Sequence, residues 1–574
     1  MRGDNAEAMT DSSARSEEYA SALALRQKHV DAVAKSEARK KLVVAGPGTG
    51  KTYLFKTVLQ GRAPCLTLTF VNALVEDLSL ELFGLSDVKT LHGFARSQLS
   101  RFRREGVRVF PRLSEVIKQD AAVLLGGATD FDYLFHNRVD ADPRLEFYKT
   151  RRRYYGYYGF SDVVYAAVLC LEQHQERIPS YAQVIVDEFQ DFNALEVSLI
   201  DLLATKSPVL LAGDDDQALY ETLKSASPRH IRERHACQVD EYVRFNLPYC
   251  SRSPRVIVDA VNDIIARAQK NGLLAERIVK DFRYFPCAEK DSISDSNPHI
   301  VYGRVFANQI AWFIQKRIEE ITQELRKKYT VLVLSPTRRQ CQSIHGALKG
   351  KGFQKVHSTE RTDVAEPGLL DGLRLLLVDE HCNLGWRIVA KVRLTSPEFE
   401  GLLRKSSGES AEGKLVDKVS PELRKEVRGL LRALKKVRDG ADLSDGDASA
   451  LLSGIGVDAQ KRATESLRDG LAEAKQRLVD PGIRGIPIEV TTFQSSKGLS
   501  ADYVFITHVD DQYCVRDKKA GMSDQDVCSV LVALTRARRG AYLLSIHGPE
   551  DPTFLSWIDA GRIREIQAPG AEGT

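Results

Sequence analysis

Residues 45–52 read AGPGTGKT, directly after the apolar run KLVV (41–44) and directly before the helical pattern YLFKTVL (53–59). An apolar strand that enters a glycine-rich turn and leaves it as a helix is a βα unit, and such units build parallel sheets covered by helices on both faces. The same rhythm recurs along the chain. PCLTLTF (64–70), QVIVDE (183–188) and PVLLAGD (208–214) form one set with KLVVAG (41–46). PHIVYG (298–303), TVLVLS (330–335), YVFITHV (503–509) and AYLLSI (541–546) form a second. Two sets predict an α/β chain with two parallel-sheet domains of similar type.

The chain has 574 residues, enough for three to four domains. Two stretches break the strand–helix rhythm. Residues 97–154 are poor in strands and rich in Arg, Phe and Tyr, and residues 396–480 are charge-dense and helical in pattern. Each reads as a helical insertion within an α/β domain. The first domain then comprises 25–96 plus 155–245, and the second 246–395 plus 481–566. Residues 1–24 are polar, lack the apolar stretch of a signal peptide, and read as a disordered tail; 567–574 read as a loose end. The nine cysteines are scattered and include no CxxC pair, which disfavours a zinc site or a disulfide framework and fits a reducing, cytoplasmic setting. No apolar run is long enough to span a bilayer, so a membrane partner is not expected. A net charge of +4 leaves a nucleic-acid partner open without demanding one.

The glycine-rich turn is a phosphate-binding loop, formed by Ala45, Gly46, Pro47, Gly48, Thr49, Gly50, Lys51 and Thr52. Its glycines let backbone N–H groups converge on phosphates at a helix N-terminus. Lys51 is suited to the β- and γ-phosphates and the Thr52 hydroxyl to Mg²⁺. The run VIVDE ends a second strand in Asp187 and Glu188. Beside a phosphate loop, Asp187 is a second metal ligand and Glu188 a general base for the attacking water. A third strand ends in Gly213-Asp214-Asp215-Asp216-Gln217-Ala218-Leu219-Tyr220. Three adjacent acids leave three readings open: a metal cage, a solvated turn, or part of the nucleotide site.

The order of these motifs resembles superfamily 1 helicases of the UvrD/Rep/PcrA type. DEFQD (187–191) is similar to their motif II, TLTFVNALVEDL (67–78) to motif Ia, TLHGF (90–94) to Ib and GDDDQALY (213–220) to III. LPYCSRSPRVIVDAVN (247–262) is similar to motif IV, TTFQSSKGLSADYVFI (491–506) to V and VALTRA (532–537) to VI. The resemblance implies two RecA-like phosphate-loop domains with ATP and Mg²⁺ in the cleft between them. It implies that Arg252 and Arg536 reach the γ-phosphate, and that Gln217 contacts the γ-phosphate or the attacking water and reports nucleotide state. Asp215 and Asp216 are then expected as loop residues exposed to solvent. Gly498 joins the nucleotide-binding set, and Gln27 or His29 stands at the adenine-reading position. Two further positions depart from the family pattern: Ser251 replaces a base-stacking tyrosine, with Tyr249 displaced by two, and Ser500 replaces a ribose-side glutamate.

For nucleic acid, the resemblance places a single-stranded DNA track across both RecA-like domains, with Phe70, Asn72, His92 and Tyr220 at DNA-side positions. The tryptophan that relatives often carry after motif III is replaced by Thr222. The run KTRRRYYGYY (149–158) interleaves basic and aromatic residues, so Arg151 and Arg152 are candidate phosphate contacts, with a solvated charge run as the alternative. SGIG (453–456), with Lys461 and Arg462 downstream, resembles a helix-hairpin-helix turn. Three activities fit these features. The first is an ATP-dependent DNA translocase or helicase, 3′ to 5′ by resemblance, acting on single strands and single-strand/duplex junctions. The second is a motor subunit of a repair or phage-defence nuclease complex. The third is a nucleotide-switched binding module.

Overall fold

The computed structural model describes residues 4–69, 72–103, 106–220, 225–237, 241–325, 327–358, 366–406, 413–439, 444, 482–546 and 551–567, with the side chains of 4–14, 72–74, 437, 438 and 567 left out. They divide into two compact units. The first comprises 1–91, 175–361 and 481–574; the second comprises 92–174 and 362–480. The chain is α/β, as its strand runs imply.

The first unit contains two large parallel sheets. One has six strands: β1 (Lys40–Ala45), β2 (Cys65–Thr69), β3 (Asp87–Thr90), β4 (Gln183–Val186), β5 (Val209–Gly213) and β6 (Val243–Leu247), in the order β3-β2-β4-β5-β1-β6. β7 (Tyr249–Cys250) and β8 (Arg283–Tyr284) form a separate small pair. The other large sheet has seven strands: β9 (Ile300–Val305), β10 (Val331–Ser335), β11 (Val356–Ser358), β12 (Ile488–Thr492), β13 (Ala501–Thr507), β14 (Ala537–Ile546) and β15 (Ile563–Gln567). Its order is β11-β12-β10-β13-β14-β9-β15. The eight apolar runs singled out in the sequence are β1, β2, β4, β5, β9, β10, β13 and β14, and most lie inside their sheets. β3, β6, β11 and β15 were not legible because they are edge strands with polar residues on an open side, as in DVKT and IREIQ.

Buried aliphatic side chains fix these strands from both faces. Val43 and Ala45 of β1 pack with Ile185 of β4, Leu210 of β5 and Leu54 and Phe55 of the following helix. The helix Arg255–Lys270 buries Val256, Ile257, Ala260, Val261, Ile264, Ile265 and Ala268, the one-sided spacing of a helix laid against a sheet. It shares a core with Leu332, Leu334, Val504 and Ile506 of the second sheet. The helix Ile310–Leu325 covers the opposite face, with Val331, Val333 and Phe505.

The N-terminal residues differ from expectation. A single helix runs Asp4–Lys35 where a disordered tail is predicted over 1–24. Its distal half is anchored by Val30 and Val33, which join the core beside β1. Polar composition alone hides that continuity. No helix among the described residues is long and apolar enough to cross a membrane.

The second unit is helical, and both insertions extend beyond the expected 97–154 and 396–480. Its centre is Asp120, which is fully buried. One carboxylate oxygen accepts from Arg151 Nε (3.0 Å) and Nη2 (2.8 Å) and from the Tyr155 hydroxyl. The other accepts from Arg387 Nε (3.0 Å) and Nη2 (2.9 Å). Asp120 and Arg151 belong to the first insertion and Arg387 to the second, so one carboxylate pairs with a guanidinium from each. Removing one member of a buried ion network leaves uncompensated charge and costs about 3–5 kcal/mol. Asp120→Asn is therefore expected to lower stability by about that amount, read as a drop in the denaturant midpoint; an unchanged midpoint would contradict the structural role. The SGIG turn at 453–456, Lys461 and Arg462 lie outside the described residues.

Candidate nucleotide site

The strand order brings three loops together. β1, β5 and β4 are consecutive neighbours, so the phosphate loop, Asp214 and the Asp187-Glu188 pair all leave the same carboxyl edge side by side. That edge is where open parallel sheets bind ligands.

Ala45 ends β1, and the loop from Gly46 to Gly50 leads into the helix Lys51–Leu59. Gly48 and Gly50 have φ of 71° and 93°, a region that disfavours side chains. Neither has room for one: a Cβ would fall 2.3 Å from Arg252 Cβ at Gly48 and 2.7 Å from Arg26 Nη2 at Gly50. The Thr49 hydroxyl donates to the Gly46 carbonyl at 2.9 Å and closes the loop. Thr52 lies in the first turn of that helix, next to Lys51. Ser251, where the family has a tyrosine, anchors the loop instead. Its N–H (3.0 Å) and hydroxyl (3.2 Å) both donate to the Gly48 carbonyl.

Lys51 Nζ lies 2.8 Å from Glu188 and 3.6 Å from Asp187. Burial works against its charge, but the two carboxylates outweigh burial and raise its pKa. Burial likewise opposes the Glu188 carboxylate, yet Lys51 and Lys497 hold it well below the usual range. Burial pushes Asp187 up. Glu188 has φ 55°, rare for a residue with a side chain, and is held there by contacts on both oxygens. Gln190 Nε2 donates to Glu188 Oε2 at 2.8 Å, while Gln190 Oε1 accepts from the Asp214 backbone N–H at 3.0 Å.

The second sheet supplies the opposing groups. Lys497 precedes Gly498, whose φ of 88° turns the chain toward β13. Its ammonium is buried against Asp191 and donates to the Gln217 carbonyl at 2.9 Å. Arg536 Nη2 donates to Gln217 Oε1 at 3.3 Å, and its other bonds go to the Val532 and Leu499 carbonyls and the Thr535 hydroxyl. Burial first, and then the like charge of Arg252, push Arg536 down to about 9. Burial also lowers Arg252. Among the described residues, no carboxylate forms an ion pair with either guanidinium.

The three consecutive acids differ from expectation. Asp214, Asp215 and Asp216 are all buried. Their oxygens lie close enough together to hold a cation, but Lys280 Nζ already sits 2.6, 2.8 and 2.8 Å from them. Arg277 pairs with Asp216 at 2.6 Å and Arg232 with Asp215 at 3.0 Å. The Ile278 N–H donates to Asp215 at 2.9 Å. Burial raises the Asp216 carboxyl, but Lys280 and Arg277 bring it down to about 2. The solvated-loop expectation fails because these partners lie 17 residues downstream for Arg232 and 61 to 65 for Arg277, Ile278 and Lys280, where no local pattern reveals them.

Of the expected site residues, Lys51, Thr52, Asp187, Glu188, Gln217, Arg252, Gly498 and Arg536 gather at this edge. Gln27 lies beside it: its side chain donates to Asp31 at 2.6 Å and accepts from the Tyr53 hydroxyl at 3.0 Å. His29 lies edge-on to Tyr249 (6.2 Å), Tyr249 edge-on to Phe285 (6.2 Å), and Arg26 covers Phe285 (4.9 Å). Sequence reasoning assigned no role to Gln190, Lys497, Lys280 or Arg26; the first two sit inside quoted motifs, which was the available clue.

The expected DNA-side residues divide between the two units. Phe70 and the Asn72 side chain lie outside the described residues. His92, in the second unit, stacks on Phe160 at 4.0 Å. The Tyr220 hydroxyl donates to the Gln494 carbonyl at 3.1 Å. Arg151 is committed to Asp120, and Arg152 to Asp162 at 2.8 Å and the Tyr158 ring at 4.5 Å. Arg151 is buried in its ion pair, whereas Arg152 is half-buried and lines an open pocket with Arg103, Arg108 and Arg153.

A phosphate loop, a strand-end carboxylate pair and two arginines facing them, Arg252 after β7 and Arg536 just before β14 of the second parallel sheet, define a nucleotide-using phosphate-loop protein of RecA-like fold. The AAA domain model matches residues 29–223. The chain is 28% identical over 130 residues to an ATP-dependent helicase/nuclease subunit from Streptococcus pneumoniae, and as similar to the exonuclease/helicase subunit RexA of that species. It is 33% identical over 99 residues to DNA helicase II of Haemophilus influenzae. These matches cover 21%, 21% and 17% of this chain, and only 11%, 11% and 13% of the relatives' own length. With its ordered motifs, the chain is similar to UvrD-like helicases of superfamily 1 over this part of its length.

Proposed function

We propose that the chain hydrolyses ATP with Mg²⁺ between its two parallel sheets and uses the cycle to translocate 3′ to 5′ on single-stranded DNA, opening duplex at single-strand/duplex junctions. The observation that carries this reading is the convergence of Arg252 and the buried Arg536, without carboxylate ion pairs among the described residues, on the Lys51–Glu188–Gln217 group. Two guanidiniums so placed that the charge of Arg252 works against that of Arg536 favour an anion between them, and a transferring phosphoryl group has that charge.

The residues suit the group. Gly48 and Gly50 hold the loop open to phosphates, and Thr52 and Asp187 are the oxygen ligands expected for Mg²⁺. The bound ion would offset phosphate charge and polarise the γ-phosphoryl oxygens. Glu188 stays ionised and is a proton acceptor for water. Lys51 is already at the loop and exchanges carboxylate for phosphate. Gln217 touches Arg536 of the facing sheet, which ties hydrolysis to closure of the two sheets. Tyr249, Phe285, His29 and Arg26 supply the aromatic and cationic faces for a base, the role that Ser251 does not fill.

Single-stranded DNA is expected to stimulate ATP hydrolysis more than duplex DNA or RNA, with unwinding of 3′-tailed but not 5′-tailed duplexes. Hydrolysis indifferent to nucleic acid would refute the reading. A second reading, a motor that drives a nuclease partner, is favoured by the similarity to proteins named as helicase/nuclease subunits. It predicts DNA-stimulated hydrolysis with little unwinding by the isolated chain.

A further inference from the structure

We propose that Lys280, which lies in none of the sequence motifs, is the positioning residue that sets the side-chain amide of Gln217 for hydrolysis. The inference rests on the hydrolytic reading of the site. Asp214 is the link. One of its oxygens lies 2.6 Å from Lys280 Nζ, and the other accepts from Gln217 Nε2 at 2.8 Å. An amide has a donating and an accepting end, and Asp214 decides which end goes where. With Nε2 committed to the carboxylate, Oε1 faces Arg536 Nη2 at 3.3 Å.

That orientation depends on where the Asp214 carboxylate is held. A carboxylate oxygen that accepts from Nε2 leaves Oε1 for Arg536. Turned over, Gln217 would present Nε2 to the Arg536 guanidinium, donor against donor. Asp214 is buried next to two further buried acids. Lys280 touches all three at 2.6 to 2.8 Å and holds them together. Arg277 and Arg232 reach Asp216 and Asp215 but form no ion pair with Asp214 among the described residues. Lys280 therefore holds in place the carboxylate that orients Gln217.

The test compares Asp216→Asn with Asp216→Asn/Lys280→Met in the full chain. The double variant removes one acid together with one base, so the net charge of the buried cluster is kept and folding is protected. Misplacing a catalytic group costs up to about 100-fold. A kcat for DNA-stimulated ATP hydrolysis roughly 10- to 100-fold below that of Asp216→Asn, with KM for ATP unchanged, supports the inference. Further support would be Lys280→Met adding nothing to Gln217→Ala, and Lys280→Arg restoring turnover lost in Lys280→Met. Equal kcat for the two Asp216 variants, or multiplicative losses with Gln217→Ala, would overturn it. A readout independent of turnover is the crystal structure of the nucleotide-free double variant. Loss of the Gln217–Arg536 contact supports the inference, and its retention overturns it. A parent chain that hydrolyses no ATP would refute the proposed function instead, and the crystal structure alone would then decide the role of Lys280.

Discussion

Replacing Arg536 with alanine is expected to reduce DNA-stimulated ATP turnover by about 10³- to 10⁵-fold, the range that a transition-state arginine supplies in phosphoryl transfer. The guanidinium is buried in the second sheet's share of the site, and its hydrogen-bond acceptors are neutral: two carbonyls, a hydroxyl and an amide oxygen. Those partners fix its place without cancelling its charge. A side chain used only for packing would show a different result, with loss of stability and little loss of turnover in the protein that remains folded. Steady-state hydrolysis at saturating single-stranded DNA, alongside a thermal melt, separates the two. A drop smaller than tenfold in a folded variant would remove Arg536 from the chemistry. Arg252 lies against Gly48 and is expected to behave in the same direction.

Replacing Glu188 with glutamine is expected to reduce turnover by about 10²- to 10⁴-fold, the usual contribution of a positioned general base. The change preserves size and the contact from Gln190, and removes the proton-accepting charge. Lys51 then loses the nearer of its two carboxylate partners, leaving Asp187 at 3.6 Å. Nucleotide affinity should be retained or increase, because Lys51 no longer has to leave an ionised Glu188 to reach phosphate. Fluorescent-nucleotide binding and hydrolysis measured on the same preparation check both halves. Glu188→Gln turning over like the parent would refute the base assignment.

Most of the interior of both sheets was legible in the sequence because buried parallel strands are continuous apolar runs, as LVVA of β1 and VFIT of β13 illustrate, but the interior strand β12, IEVTT, was not, because polar residues interrupt it. The phosphate-loop residues and the acids after β4 were legible because each sits at a strand end inside a short, dense motif. Edge strands were not, since DVKT and IREIQ carry the polar residues that protect an edge. Nor were long-range ion pairs. Nothing local to RRRYYGYY says that Arg151 is committed to Asp120, 31 residues upstream. Nothing local to GDDDQ says that Lys280 is inserted among its carboxylates. Charge runs in a sequence report composition, whereas burial and pairing depend on what the fold brings opposite.

The strand order of the first sheet also governs how the protein is made. β1 is flanked by β5 and β6, so it has no strand partner until residues 209–247 have been synthesised. At roughly 5–20 residues per second, the interval from β1 to β5 is on the order of ten to thirty seconds. During that time the whole first insertion emerges from the ribosome while an apolar strand waits with both edges open. The phosphate loop is therefore among the earliest motifs translated and among the last of the first sheet to acquire its shape.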